Sequence, residues 1–371
     1  MTTTHPRRIG FKRWIVIALM IVGGVLAFGV GGIFKPLSPV VVLPPEPVWP
    51  GLNIPFTSIP LSNTFLATLL ADVVLLGFAF GAWRFSKSGN LVPRGLYNFF
   101  EWLVEFLWNM TESAAGKWAR RIFPIMAAIF LLVFTANMVK LLPGFESFGW
   151  MKEAHAKGYE AVPLFGGLYA LDASKPVDKT AEHGGEGEAA ATAEHSGEAA
   201  PAGAEAEEFC TEACEVVPFL RATATDINFT FALAVSSVVM TQVFGVWALG
   251  MKYFGKFINT GTMISKPLFG VIDFAVGLLE LISEFAKILS FGFRLFGNIF
   301  AGALLLSILG ALTAVVVPSA LYGLEFFVGI IQAYVFAMLT LVFMSQATVS
   351  HHGDDHSAER SASGGEHAAA H

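Results

Sequence analysis

Six apolar stretches, each long enough to cross a bilayer as a helix, constrain this chain more than any other feature. They run over Trp14–Ile33, Leu61–Trp83, Ile122–Leu142, Asp226–Gly250, Leu268–Leu312 and Ser319–Ser350, and one crossing takes about 20 helical residues. Lipid offers the backbone no water to bond with, so an open chain can satisfy its N–H and C=O groups there only as helix. The expected fold class is an all-α integral membrane protein with about six membrane helices. Composition agrees: the 371 residues are 54% hydrophobic and 14% charged, too few charges to cover a soluble chain of this length. The acids crowd into residues 143–215 and the C-terminal tail. No Lys/Arg stripe with interleaved aromatics appears, which excludes a nucleic-acid partner as a reading.

The cations set the orientation. Arg7, Arg8, Lys12 and Arg13 precede the first stretch; Arg84, Lys87, Arg94, Lys117, Arg120 and Arg121 lie between the second and third; Lys252, Lys256 and Lys266 lie between the fourth and fifth. The alternate loops hold Lys35 and a long insert whose acids outnumber its bases. The first set is expected in the cytoplasm with both termini, and the insert outside. Residues 1–60 then form a membrane anchor and extracytoplasmic linker, 61–350 the main membrane domain, and 143–217 an acidic, partly disordered extracytoplasmic insert. Residues 351–371 form a disordered, His-rich cytoplasmic tail. The first stretch is either a signal peptide or an anchor; its length and the lack of a clear small-x-small cleavage site favour a retained anchor.

Between the second and third stretches, Asn98, Glu101, Glu105, Asn109 and Glu112 recur in steps of three and four. They make one polar stripe on a segment otherwise rich in Phe, Trp and Leu, the pattern of an amphipathic helix lying on the membrane surface. The insert is Ala/Glu/Gly-rich around Lys179–Glu208 and is expected to be disordered there. Cys210 and Cys214 would share a helical face, which suits free thiols or a metal better than a disulfide. Two ligands make no zinc site, so no metal is expected.

The last two stretches are too long for upright crossings. A helix of about 45 residues reaches roughly 65 Å, against a hydrocarbon layer of about 30 Å. Steep tilt is the expected answer. These stretches also carry polar residues. Glu280, Lys287 and Arg294 follow at intervals of seven, sharing one helix face with Glu284, Ser290 and Asn298 close by. Glu325, Gln332 and Gln346 repeat by seven and fourteen on the last helix. A charge at the bilayer midplane costs about 2.5–3.5 kcal/mol on insertion scales, so such a file marks an ion-handling path. Glu280, Glu284 and Lys287 can neutralise one another along their own helix. Arg294 stands among Phe291, Phe293, Leu295 and Phe296, and its expected partner is a carboxylate from another helix or chain.

Phe291-Gly292-Phe293-Arg294-Leu295-Phe296-Gly297-Asn298-Ile299-Phe300-Ala301-Gly302 resembles the signature of subunit a of the F-type ATP synthase. So do Gln332-Ala333-Tyr334-Val335-Phe336, Pro218-Phe219-Leu220-Arg221 with Asp226-Ile227-Asn228-Phe229-Thr230, and Asn137-Met138-Val139-Lys140-Leu141-Leu142-Pro143. The resemblance covers about Leu61 to Ser350 and rests on four motifs in order. It implies a stator subunit in a bacterial plasma membrane that conducts protons through two offset half-channels to and from a ring of c subunits. Its other implied partners are peripheral-stalk b subunits and the rest of the synthase.

By that resemblance Arg294 faces the ring and favours the ionised form of each passing carboxylate. Arginine suits this post because its guanidinium stays protonated. Asn298 and Gln332 would orient Arg294 or line the channels, and Glu280 would sit on the proton path. Many bacterial relatives have an acid directly after the glycine matching Gly302, where this chain has Ala303; Glu325 on the next helix resembles the mitochondrial placement instead. Glu325 is therefore expected to be the outer half-channel's proton carrier. No histidine lies within a span, which excludes a His relay. No Gly-rich phosphate loop ending in Lys-Ser/Thr occurs, so no nucleotide site, no cofactor and no enzyme activity of the chain alone are expected. A lone secondary transporter predicts an internal repeat with broken paired helices, and neither is found. A purely structural scaffold is the other competing reading.

Overall fold

In the computed structural model the long apolar stretches are helices, as satisfaction of the backbone in lipid requires. The structure describes scattered positions from 14 to 25, and residues 44–49, 60–87, 95–142, 144–154, 157–165, 168–178, 210, 213–256, 267–313 and 316–349. The helices are α1 (Asn63–Ser86), α2 (Leu96–Ala115), α3 (Ala119–Val139), α4 (Ile227–Leu249), α5 (Pro267–Thr313) and α6 (Val316–Ala347). Five segments among the described residues are long and apolar enough to cross a membrane: α1, the α2–α3 run from Tyr97 to Val139, α4, α5 and α6. The chain is thus an all-α integral membrane protein in its spanning part. The stretch Trp14–Ile33 falls largely outside the described residues; its described positions are helical.

α2 behaves as its periodicity demands. Glu101, Glu105, Asn109 and Glu112 are exposed while Leu103, Leu107 and Thr111 are buried, a division that one face of a 3.6-residue repeat produces. A short 3-10 turn over Gly116–Trp118 joins it to α3. α5 is 47 residues without a break and α6 is 32, so the two longest helices are as long as the uninterrupted apolar pattern indicates.

The insert holds structure that the sequence analysis did not foresee. Strands β1 (Gly149–Glu153), β2 (Lys157–Phe165), β3 (Leu168–Asp178) and β4 (Cys214–Pro218) form one antiparallel sheet in the order β1-β4-β2-β3. β1 pairs with β4 from Gly149↔Pro218 to Glu153↔Cys214, and β2 and β3 form a hairpin with two register shifts. At Gly149 and Gly158 the neighbouring strand's backbone occupies the space a Cβ would need, so only glycine fits. The expectation of free thiols or a metal at the cysteines is corrected. Cys210 and Cys214 form a disulfide, with Cα atoms 5.7 Å apart. Cys214 opens a strand, so the helical premise that placed the two residues on one face fails. The disulfide sits in a small core with Tyr159 and Leu171. The expected disordered stretch, Lys179–Glu208, lies outside the described residues.

The chain divides into two compact units, each built from three separate lengths. One comprises residues 1–71, 136–226 and 298–329, and includes the sheet. In it, backbone bonds from Val48 to Leu61 (2.8 Å) and from Asn63 to Glu46 (3.0 Å) tie an extended segment to the start of α1. Thr64 Oγ1 donates to buried Asp226 (2.9 Å), and Asn137 Nδ2 donates to the Gly329 carbonyl (3.2 Å). Trp150 packs edge-on against Phe219, which stacks with Trp49.

The other unit comprises residues 72–135, 227–297 and 330–371. Phe291 packs on Phe336 and Phe343, and Phe231 meets Phe293 edge-on. A Cβ at Gly292 would lie 2.9 Å from the Phe231 ring, which explains a glycine there. Ser237 and Thr340 exchange a buried hydroxyl hydrogen bond of 2.7 Å.

Candidate ion-handling residues

The polar file on α5 exists as one continuous helix face, and its members have different surroundings. Glu284 is 7% exposed and accepts hydrogen bonds from Lys287 Nζ (2.8 Å) and from Gln242 Nε2 (2.9 Å). Tyr253 donates its hydroxyl to Gln242 Oε1 (2.7 Å), completing a chain Tyr253–Gln242–Glu284–Lys287. Lys287 also lies over the Phe343 ring, 4.7 Å from its centroid. Neutralisation within the helix therefore accounts for Lys287. Gln242 and Tyr253 had no place in the sequence analysis, because a glutamine inside α4 and a tyrosine beyond it carry no periodic signal.

Tyr253 belongs to the 3-10 segment Gly250–Lys256, beyond the end of the α4 span. Burial, then the negative charges of Glu284 and Glu280, push its hydroxyl from 10.0 up to about 12. All three causes disfavour the phenolate, so Tyr253 remains a donor at physiological pH. The same relation places Glu280 within electrostatic reach of this cluster, half-buried on α5.

Arg294 stands two turns beyond Lys287 and is half-buried. Among the described residues its guanidinium makes one long hydrogen bond, 3.4 Å to Ser290 Oγ on its own helix. Within its unit, no carboxylate among the described residues pairs with it. Its neighbours Phe291 and Leu295 are buried, whereas Phe293 is exposed. Gln332, on α6 in the same unit, is buried at 3% exposure.

Asn298 and Glu325 belong to the other unit, and there the structure brings them together. Both line a small pocket of about 50 Å³ with Lys140, Gly302, Leu321 and Val328. Lys140 Nζ lies 3.4 Å from Glu325 Oε1, and the two side chains are 7% and 10% exposed. A Cβ on Gly302 would come within 3.0 Å of the same oxygen, so glycine leaves the carboxylate its room. The Tyr322 hydroxyl is within electrostatic reach of Glu325 and of Glu146. Lys140 stood in a quoted motif but its partner is 185 residues away, beyond any local signal.

Charged side chains held inside long membrane helices define a multi-pass membrane protein that handles ions. The model of the ATP synthase A chain family matches residues 65–345, and the chain belongs to that family. It is 26% identical over 291 residues to ATP synthase subunit a of Mycobacterium ulcerans, covering 77% of this chain and 86% of that one. Against the Mycobacterium bovis subunit a the figure is 27% over 290 residues, with 77% and 86% covered. Against that of Campylobacter jejuni it is 24% over 295 residues, with 79% and 94% covered. The chain is a multi-pass membrane-sector component of a proton-translocating ATP synthase, distinct from the catalytic subunit.

Proposed function

We propose that this subunit is the stator half of a rotary proton path: two offset half-channels carry protons to and from a c-ring, and Arg294 separates them. The carrying observation is the state of Arg294: a permanent cation on a membrane helix, with a long hydrogen bond to Ser290 and, among the described residues of its unit, no carboxylate paired with it. A guanidinium inside a membrane is costly unless a counter-charge meets it. A ring presenting one carboxylate after another supplies that counter-charge in turn. Each carboxylate is favoured in its ionised form beside Arg294 and in its protonated form in lipid. Rotation in one direction therefore requires release of a proton before Arg294 and uptake of another after it. The length of α5 supports a steeply tilted helix laid against the curved side of such a ring.

In this reading Glu325 is the outer half-channel's proton carrier, with Asn298 lining the same pocket. Glu280, near the Tyr253–Gln242–Glu284 chain, stands on the inner path, and Gln332 is a polar neighbour on α6. The excess of Lys and Arg in alternate loops supports cytoplasmic termini, an external insert and a bacterial plasma membrane. An external insert also fits its disulfide, since oxidising compartments preserve such bonds. The b subunits of the peripheral stalk and the rest of the synthase complete the set of partners, and neither cofactor nor metal is assigned to this chain. Glu325→Gln removes the carrier: ATP-driven proton pumping in inverted membrane vesicles is expected to fall at least about a hundredfold, the low end of a general acid–base contribution. Unchanged pumping would remove Glu325 from the path.

A further inference from the structure

We propose that Lys140 positions Glu325 and closes its pocket to metal cations, so that this end of the path admits protons and excludes Na⁺. The inference rests on the reading of Glu325 as a proton carrier, and it adds a residue and an ion selectivity to that reading.

The geometry carries it. The Lys140 ammonium lies 3.4 Å from Glu325 Oε1, and both side chains are almost fully withdrawn from the surface. A buried carboxylate needs a partner, and one ammonium beside it occupies the place a metal cation would take. The pocket is small, about 50 Å³, room for a few water molecules. Its walls are mostly apolar, with Ile299, Leu305, Leu321 and Val328 beside the amide of Asn298. Hard cations surrender water only to a shell of several oxygen ligands. This pocket offers one carboxylate and one amide, and a fixed positive charge opposes entry.

A proton needs neither a vacant shell nor an unopposed field. It passes along hydrogen bonds between waters, hydroxyls and carboxyls. Tyr322, within electrostatic reach of both Glu325 and Glu146, supplies a hydroxyl on this side. Gly302 leaves the Glu325 carboxylate space to turn, since a Cβ there would stand 3.0 Å from Oε1. The same pair could serve only to latch the end of α3 to α6. That structural role would make Lys140 matter for assembly and leave ion discrimination untouched.

The test uses the complete synthase reconstituted in liposomes, with ATP synthesis driven by an acid–base jump and Na⁺ varied on the side from which protons enter. The wild type and Lys140→Arg are expected to ignore Na⁺, because both keep a cation at this place. Lys140→Gln, with the carboxylate unopposed, is expected to lose roughly tenfold in rate as Na⁺ is added. Lys140→Met likewise removes the cation while keeping most of the side chain's length, and the same Na⁺ sensitivity is expected. It carries the test if Lys140→Gln does not assemble. An assembled Lys140→Gln or Lys140→Met enzyme that ignores Na⁺ would overturn the role of Lys140. Glu325→Gln, run in parallel, separates the two readings: full synthesis in that variant would remove the carrier itself, whereas slow synthesis alongside a Na⁺-indifferent Lys140→Gln would remove the Lys140 inference alone.

Discussion

Replacing Glu284 with alanine tests whether the Tyr253–Gln242–Glu284–Lys287 chain is an energetic unit. Glu284 is 7% exposed and receives hydrogen bonds of 2.8 Å from Lys287 and 2.9 Å from Gln242. Removing the acceptor strands a half-buried ammonium and a half-buried amide together. Breaking a buried pair by deleting one partner costs about 3–5 kcal/mol. The Lys287 side chain keeps 20% of its exposure, so solvent answers part of its lost interaction. The lower end of the range, about 3 kcal/mol, is therefore expected. The assay is equilibrium unfolding of the purified subunit in mixed detergent micelles, followed by tryptophan fluorescence, for the wild type, Glu284→Ala, Lys287→Ala and the double variant. Contacting residues show couplings of about 0.5–3 kcal/mol, so the double variant should lose clearly less than the two singles added together. Two singles that each cost less than about 0.5 kcal/mol and that add without coupling would refute the argument.

Tyr253 gives a pH prediction whose sign follows from its surroundings. Its folded value, about 12, lies above the ordinary 10.0, so the folded chain holds this proton more tightly than the unfolded one. Its contribution to stability is complete below pH 10 and declines as pH rises from there through about 12. The ultraviolet difference titration between wild type and Tyr253→Phe should have its midpoint near 12; a midpoint near 10 would contradict the burial argument. In the insert, alkylation without reductant should label neither Cys210 nor Cys214, since both sulfurs are joined. Reduction first should expose both, and mass spectrometry distinguishes the states.

The spans were legible because lipid leaves an apolar stretch no alternative to helix, and the exposed acids of α2 were legible for the same periodic reason. The sheet was not. β1, a five-residue strand, finds its partner β4 more than sixty residues later in the sequence, and β2 and β3 each contain a proline, Pro163 and Pro176. Such pairing is invisible to local pattern, although Gly166-Gly167 between two mixed apolar runs is a hairpin signal that could have been used. The site divides similarly. Arg294 and Lys287 could be picked out because charges inside an apolar helix stand out, and the Glu284–Lys287 pair follows from a spacing of three. Lys140 and Gln242 could be recognised only once their distant partners, Glu325 and Glu284, were in place.

The role of Arg294 is tested most directly by Arg294→Ala in the assembled enzyme, with ATP-driven pumping and passive proton leak measured on the same vesicles. Loss of pumping together with a faster passive leak is expected, because the charge that both releases the ring's protons and separates the two half-channels is gone. Pumping at the wild-type rate, with no added leak, would contradict the account.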